Sequence, residues 1–388
     1  MPLYVVRWHF GPIPTTLLEN LVLLTVGFYA LTLVRHRQPL PRRTPLDIPI
    51  ALFLLAGVIG VLVAPDHRGA LGIFRAYLVE PIAIYYVAVA ILGMVRQLEV
   101  LLAGWACGVL LFAVWQVASF AHALQSGRID PDFAPGALNI NANSVSLYLD
   151  PLIAIATGFV FFARGRTRWL AAGMLLAMLV ADLSTLSRGG LVAIGILALI
   201  AVASTPTWRT QLGLVLAGGL AAFVLFKLPI LGPRIGRALN PAYGTFVGRG
   251  RIWAATFRML RDHPVFGAGI NAYQPTMAPY RLADQNLIPE PYPHNIFLTS
   301  WTELGLLGLV VFSYMLIALI VMPFRALHRA EAIFRPLAWG LGSAFAMILV
   351  HGLVDSPYWK NDLSLEFWLL AAIEIVALRT GRPRTQEV

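Results

Sequence analysis

An all-α protein that crosses the membrane many times is the fold class this sequence predicts, and three observations predict it. Hydrophobic residues fill 58% of the 388 positions and charged residues only 12%, whereas a soluble domain sits near half apolar and a quarter charged. Mean hydropathy is +0.73. The apolar residues also fall in runs of about 20, the length at which a helix crosses the hydrocarbon, and the connections between them are short and rich in arginine. The chain reads as a single integral membrane domain, residues 1–388, with no repeat, low-complexity tract or soluble domain.

Taken in order, spans are expected near 15–34, 48–64, 78–95, 100–121, 144–163, 169–186, 188–204, 212–231, 296–322, 338–354 and 362–379, about 11–12 transmembrane helices in all. The first run, Thr15–Val34, lacks a basic leading region and a small-residue cleavage site, so it reads as a retained span. Glu19 within it reads as a helix-start or interfacial residue. Cys107 is the only cysteine, which excludes a disulfide framework or a cysteine metal site within one chain.

Arginine in short connections sets sidedness. Arg35, Arg37, Arg42, Arg43, Arg96, Arg164, Arg166, Arg168, Arg209, Arg325, Arg329 and Arg335 fall on alternate connections, as do Arg379, Arg382 and Arg384 of the tail. These are expected to be cytoplasmic, with the C-terminus inside. The opposite short connections hold only Arg7, Arg68, Arg75, Arg128 and Lys360. One outer connection is different: residues 232–295 carry Arg234, Arg237, Arg249, Arg251, Arg258, Arg261 and Arg281 against Asp262, Asp284 and Glu290. A long loop crosses whatever its charge, and a basic surface outside calls for anionic headgroups or an anionic substrate.

Four polar clusters then fall on the outer side. "GALNINANSVSLYL" (136–149) sets Asn139, Asn141 and Asn143 before a span, where Asn143 or Ser144 either caps the helix or serves a site. "LSTLSRGGL" (183–191) leaves almost no loop between two spans and puts Arg188 at the outer interface. A charge at that depth either snorkels or has a function. "GRGRIWAATFRMLRDHPVFGAGINAY" (248–273) reads as an amphipathic interfacial helix ended by "DHP" and a glycine turn. Arg251, Arg258 and Arg261 share a face there, and Ile252, Ala255, Met259 and Phe266 offer apolar contacts. Finally, "PYPHNIFLTSWTELGLLGL" (291–309) places His294 and Asn295 at the threshold of a span and Glu303 inside it. Nine positions make two and a half turns, so His294 and Glu303 should not share a face. His351 and Asp355, four apart, should share one and pair. No P-loop, zinc helix, nucleophile elbow or dinucleotide fingerprint is present, nor an outer aspartate cluster fit for a divalent ion. Neither a metal, a cofactor nor a nucleic-acid partner is expected.

These clusters, in this order, resemble the O-antigen ligase family, whose wider superfamily includes O-antigen polymerases and protein O-oligosaccharyltransferases. The matching stretches are "NINANSVSLYL", "LSTLSRGG", "GRGRIW" with "DHPVFGAGINAY", "HNIFLTSWTELGLLGL" and "HGLVDSPYWKNDLSLEFWLL" (351–370), so the likeness covers roughly residues 135–370. The family's usual "NPN" stands here as Asn141-Ala142-Asn143, without its proline. The resemblance implies a GT-C-type membrane glycosyltransferase of the bacterial inner membrane, metal-independent and inverting, with its active site facing the periplasm. It would move a glycan from undecaprenyl pyrophosphate to a hydroxyl acceptor, lipid A-core first among the candidates.

Carried over position by position, the essential loop arginine falls on Arg249, four residues before Trp253, with Arg251 close behind. The arginine of the "SRG" turn falls on Arg188, and the histidine of "HN" on His294. Arg188 and Arg249 are then expected to stabilise the departing pyrophosphate, since guanidinium forks match phosphate oxygens. His294 would take the acceptor proton or hold the pyrophosphate. Arg251, Asn143, Asn295 and Arg258 are candidate substrate ligands, with Glu303 and Asp355 in support. From another class, a glycan or anion transporter could also line a path with arginine and asparagine, but no paired halves with matching broken helices are visible.

Overall fold

The computed structural model describes residues 3–11, 13–36, 43–93, 95–129, 134–230, 232–233, 235–236, 245–282, 289–327, 331 and 334–380. Arg37, Arg42, Arg234, Arg237, Asp284, Arg329, Arg382 and Arg384 lie outside the described residues.

Helices stand wherever a span was expected: α1 (Leu17–His36), α2 (Asp47–Val63), α3 (His67–Phe74), α4 (Glu80–Ile91), α5 (Val95–Gln125), α6 (Ala142–Phe162), α7 (Gly165–Ser184), α8 (Arg188–Ala203) and α9 (Trp208–Lys227). Two follow in the long connection, α10 (Thr245–Asp262) and α11 (Tyr273–Leu282), and then come α12 (Ile296–Ala326), α13 (Arg335–Gly352) and α14 (Asn361–Thr380). Among the described residues, 7 helices are long and apolar enough to cross a membrane, and α2 and α8 are shorter apolar helices. The chain is an α-helical polytopic membrane protein.

Three local expectations change. A hairpin, β1 (Arg7–Phe10) and β2 (Ile13–Thr16), precedes α1. It enters that helix through a reciprocal cap: Glu19 N donates to Thr16 Oγ1 and Thr16 N to Glu19 Oε2, both at 3.1 Å. Glu19 is thus a helix-start residue, and it also pairs with Arg75 at 3.3 Å. The third span begins at His67 and not near 78, because Asp66 caps α3 and a π-helical turn (Arg75–Val79) carries α3 into α4. Finally, α12 is broken at Gly305, whose φ of 68° only glycine adopts readily. The turn at 265–271 docks into the break. Ala268 N and Gly269 N donate to Thr302 O at 2.7 and 3.2 Å, and Leu306 N donates to Val265 O at 2.8 Å. The freed backbone groups are satisfied inside protein, as a break at membrane depth requires.

Helix α13 is the centre of the bundle, packed on α6, α12 and α8, while α12 leans on α2 and α14 on α4. Backbones meet closely where α6 crosses α13: a Cβ on Gly158 would lie 2.4 Å from Pro336 O. Small residues at such crossings let membrane helices gain packing. At the other extreme α9 buries none of its residues and is apolar, as a lipid-facing helix should be.

Candidate active site

One end of this bundle holds a cavity of about 890 Å3. Each wall has a local cause. Asn141 caps α6 by accepting from Asn143 N at 2.8 Å, so the capping residue is neither Asn143 nor Ser144. That frees the Asn143 side chain to donate to Asp355 Oδ2 and accept from Ser187 Oγ. Ser187 in turn caps α8, accepting from Gly190 N at 3.2 Å, and Arg188 is the first residue of that helix. Two helix N-termini, each a positive dipole end, therefore open on one cavity.

Arg249 reaches the same cavity from α10. Trp253, one turn on, donates from Nε1 to Pro293 O at 2.9 Å, which pins α10 to the segment bearing His294. The connection from α13 to α14 supplies Asp355 and Lys360. Its anchor is Tyr358, buried among Phe53, Phe312, Phe367 and Trp368, with its hydroxyl donating to Tyr77 O at 2.8 Å.

Asp355 is the hub. Its Oδ1 lies 3.3 Å from His294 Nδ1 and accepts from Ser356 N at 2.8 Å; its Oδ2 lies 3.8 Å from Arg249. Burial opposes its charge, but His294 first, then His351 and Arg249, hold the carboxyl down to about 2. Burial also depresses the His294 imidazolium, yet the hydrogen bonds and charges of Asp355 and Glu290 prevail and raise its pKa. Glu290 Oε2 meets His294 Nε2 at 3.2 Å, so both ring nitrogens face a carboxylate. Arg249 is lowered by burial, against the pull of Asp355. The backbone is strained around the same cavity: Leu138, Asn139, Leu186 and His294 all have φ between 51° and 58°. Such conformations in non-glycine residues gather at functional sites, where the surroundings hold them.

Of the expected site residues, His294, Arg249, Arg188, Asn143 and Asp355 meet here. Four others do not. Arg251 and Arg258 are exposed on α10 and outside the lining, because the face that α10 turns inward carries Ala255 and Met259. Phe266, expected as an apolar contact of that face, is 54% exposed. Asn295 is a structural cap: Oδ1 accepts from Phe297 N and Leu298 N at 3.0 Å each, and Nδ2 donates to Leu353 O. Glu303 accepts from Asn271 N at 2.6 Å and so fixes the turn inside the break of α12, away from His294. The expected His351–Asp355 side-chain pair does not form either. Asp355 turns to His294, and His351 Nδ1 meets Asp150 Oδ2 at 2.6 Å.

Sequence reasoning missed two members. Lys360 lines the cavity and donates to Ser144 Oγ; its signal was rarity, as one of two lysines in an arginine-rich chain. Glu290 precedes His294 by four residues, but in a proline-rich, non-helical stretch where that spacing implies no contact.

Compared with known proteins, residues 173–313 match the family model described as O-Antigen ligase. A search of curated proteins finds no match. The matched segment holds Arg188, Arg249 and His294, and this part of the chain is similar to the O-antigen ligase family.

Proposed function

We propose that this protein is an O-antigen ligase family member that transfers a glycan from undecaprenyl pyrophosphate to an acceptor hydroxyl, lipid A-core first, at the periplasmic face of the bacterial inner membrane. The observation that carries the reading is convergence: Arg188, Arg249, Lys360 and the N-termini of α6 and α8 surround one cavity whose wall bears the Asp355–His294 pair. Such a site suits a dianionic leaving group beside a base.

In this reading the bond between the anomeric carbon and phosphate oxygen breaks, and its electron pair leaves with the pyrophosphate. Arg188, Arg249 and Lys360 stabilise the charge that grows there, and loss of one such donor costs about 3–4 kcal/mol of transition-state stabilisation. The acceptor oxygen bonds the anomeric carbon from the opposite face, which inverts it, and its proton passes to His294 Nε2. Asp355 holds Nδ1 and so fixes the tautomer, the role an orienting carboxylate plays in other base dyads. The cations do the work a divalent ion would otherwise do, so the proposal is metal-independent.

The test uses purified full-length protein in liposomes, with undecaprenyl-pyrophosphate-linked glycan and acceptors offered in turn, and products separated by mass. Glycan joined to an acceptor, and absent with His294→Ala, is the expected result. A longer lipid-linked chain instead would make the enzyme a polymerase. Glycan moved across sealed vesicles with no covalent product would make it a transporter.

A further inference from the structure

A second cavity, of about 350 Å3, is lined by Glu290, the residue that holds His294 Nε2. Ile252 of α10 and Tyr273, Gln274, Met277 and Arg281 of α11 line it, and so does Glu290. Its size falls within the range of small-ligand sites, about 300–1,000 Å3. The walls are built and fixed: Thr256 Oγ1 and Tyr273 Oη lie 2.7 Å apart, and Tyr280 donates to Asp262, which ties α11 to α10.

Glu290 joins the two spaces. It lines the second cavity while its Oε2 holds His294 Nε2 at 3.2 Å, and His294 lines the first cavity with Nδ1 on Asp355. One nitrogen of His294 therefore meets a carboxylate of the anion-binding cavity and the other meets a carboxylate of this one. We propose that the second cavity binds the acceptor as a carbohydrate, whose reacting hydroxyl takes the place of Glu290 at His294 Nε2. The proposal rests on the transfer reading above and adds where the acceptor binds and of what class it is.

The lining argues for sugar. Gln274 both donates and accepts, Arg281 donates, and Glu290 accepts, which suits the alternating hydroxyls of a pyranose. Ile252, Met277 and the Tyr273 ring offer apolar surface for its carbon-bound hydrogens. An acyl chain has no use for those polar groups, and a pyrophosphate would meet the Glu290 carboxylate. Gln274 is exposed and Arg281 half-buried, so neither supports the core.

Two-substrate kinetics of the full chain in liposomes tests this, with lipid A-core glycan and a serine peptide as acceptor probes. Gln274→Ala and Arg281→Ala should each raise the KM for the glycan about tenfold or more, the loss of one good hydrogen bond, while donor KM stays within twofold. Equal shifts in both KM values, no shift, or a preference for the peptide would overturn the proposal. A photoreactive glycoside of the same glycan, mapped by mass spectrometry, reads the cavity without turnover. Crosslinks within 273–281 or at Glu290 are expected, and crosslinks confined to the first cavity would overturn the assignment. Crosslinks in the second cavity of a wild-type enzyme that cleaves no donor would overturn the transfer reading and leave this carbohydrate site standing.

Discussion

Two histidine–aspartate pairs lie near the C-terminal end of α13, and their surroundings differ. His294 and Asp355 stand 3.3 Å apart on the wall of a large cavity, with the histidine side chain 21% exposed. His351 and Asp150 stand 2.6 Å apart with 1% and 2% exposed, sealed between α13 and α6 under the first turn of α8. A backbone bond joins the two levels, from Asp355 N to His351 O at 3.0 Å. On the transfer reading proposed above, the same residue types serve reaction in one place and attachment in the other. Access to a cavity, and not chemistry, separates them.

The largest effects should divide along that line. His294→Ala and Arg249→Ala are expected to lower transfer by about 10²-fold or more while the thermal midpoint in detergent holds within a few degrees. Asp150→Ala and His351→Ala should instead destabilise the fold by about 3–5 kcal/mol, because each strands a buried polar partner. An inactive but unfolded His294→Ala, or a fully stable His351→Ala, would break the comparison.

Gly189 sharpens it. A Cβ there would lie 2.3 Å from His351 Nε2, and the imidazole is fixed by Asp150. Gly189→Ala would gain about 1 kcal/mol of helix propensity in open surroundings, but should lose about 1–3 kcal/mol here through overpacking. Thermal melting gives the sign directly, and a stabilised variant would show that the inner pair yields.

The outer pair should respond to pH in two opposite ways. The pKa of His294 is raised above its ordinary 6.5, so its contribution to stability is complete below pH 6.5 and is lost as pH climbs through the higher folded value. A base must be neutral to accept a proton, so kcat should rise over that same window. Asp355, held down to about 2 from 3.8, contributes fully above pH 3.8 and fails only as pH falls toward 2. Melting curves and pH–rate profiles of the wild type and His294→Gln would check this. A rate that falls as pH rises would make His294 an imidazolium ligand of the pyrophosphate.

The smallest effects belong to residues the structure removes from the site. Asn295→Ala should cost about 1 kcal/mol of stability, as loss of a helix cap does, with acceptor and donor KM unchanged. Arg258→Ala, at an exposed position on α10, should leave transfer rates within about twofold, since surface substitutions are worth about 0.5 kcal/mol or less. A tenfold loss with Arg258→Ala would bring α10's outer face back into the site.

By itself the sequence determined the membrane class and the helices, because apolar runs of span length have few other solutions in water or lipid. It also singled out Arg188, His294 and Asn143 as polar residues at helix thresholds, and Arg249 through the family resemblance. Partnership was beyond it. His351 and Asp355 share helical spacing, yet α13 ends at Gly352 and the chain turns Asp355 toward His294. Glu303 read as a supporting residue of the site, but the break at Gly305 lets the 265–271 turn reach it. Lys360 joins the site across 216 positions of sequence, and Glu290 lies four residues from His294 in a stretch that is not helical, so neither contact follows from periodicity. Periodicity and hydropathy are local and survive in the sequence, whereas which side chains meet across a cavity depends on how distant helices stack, and only the tertiary structure decided that.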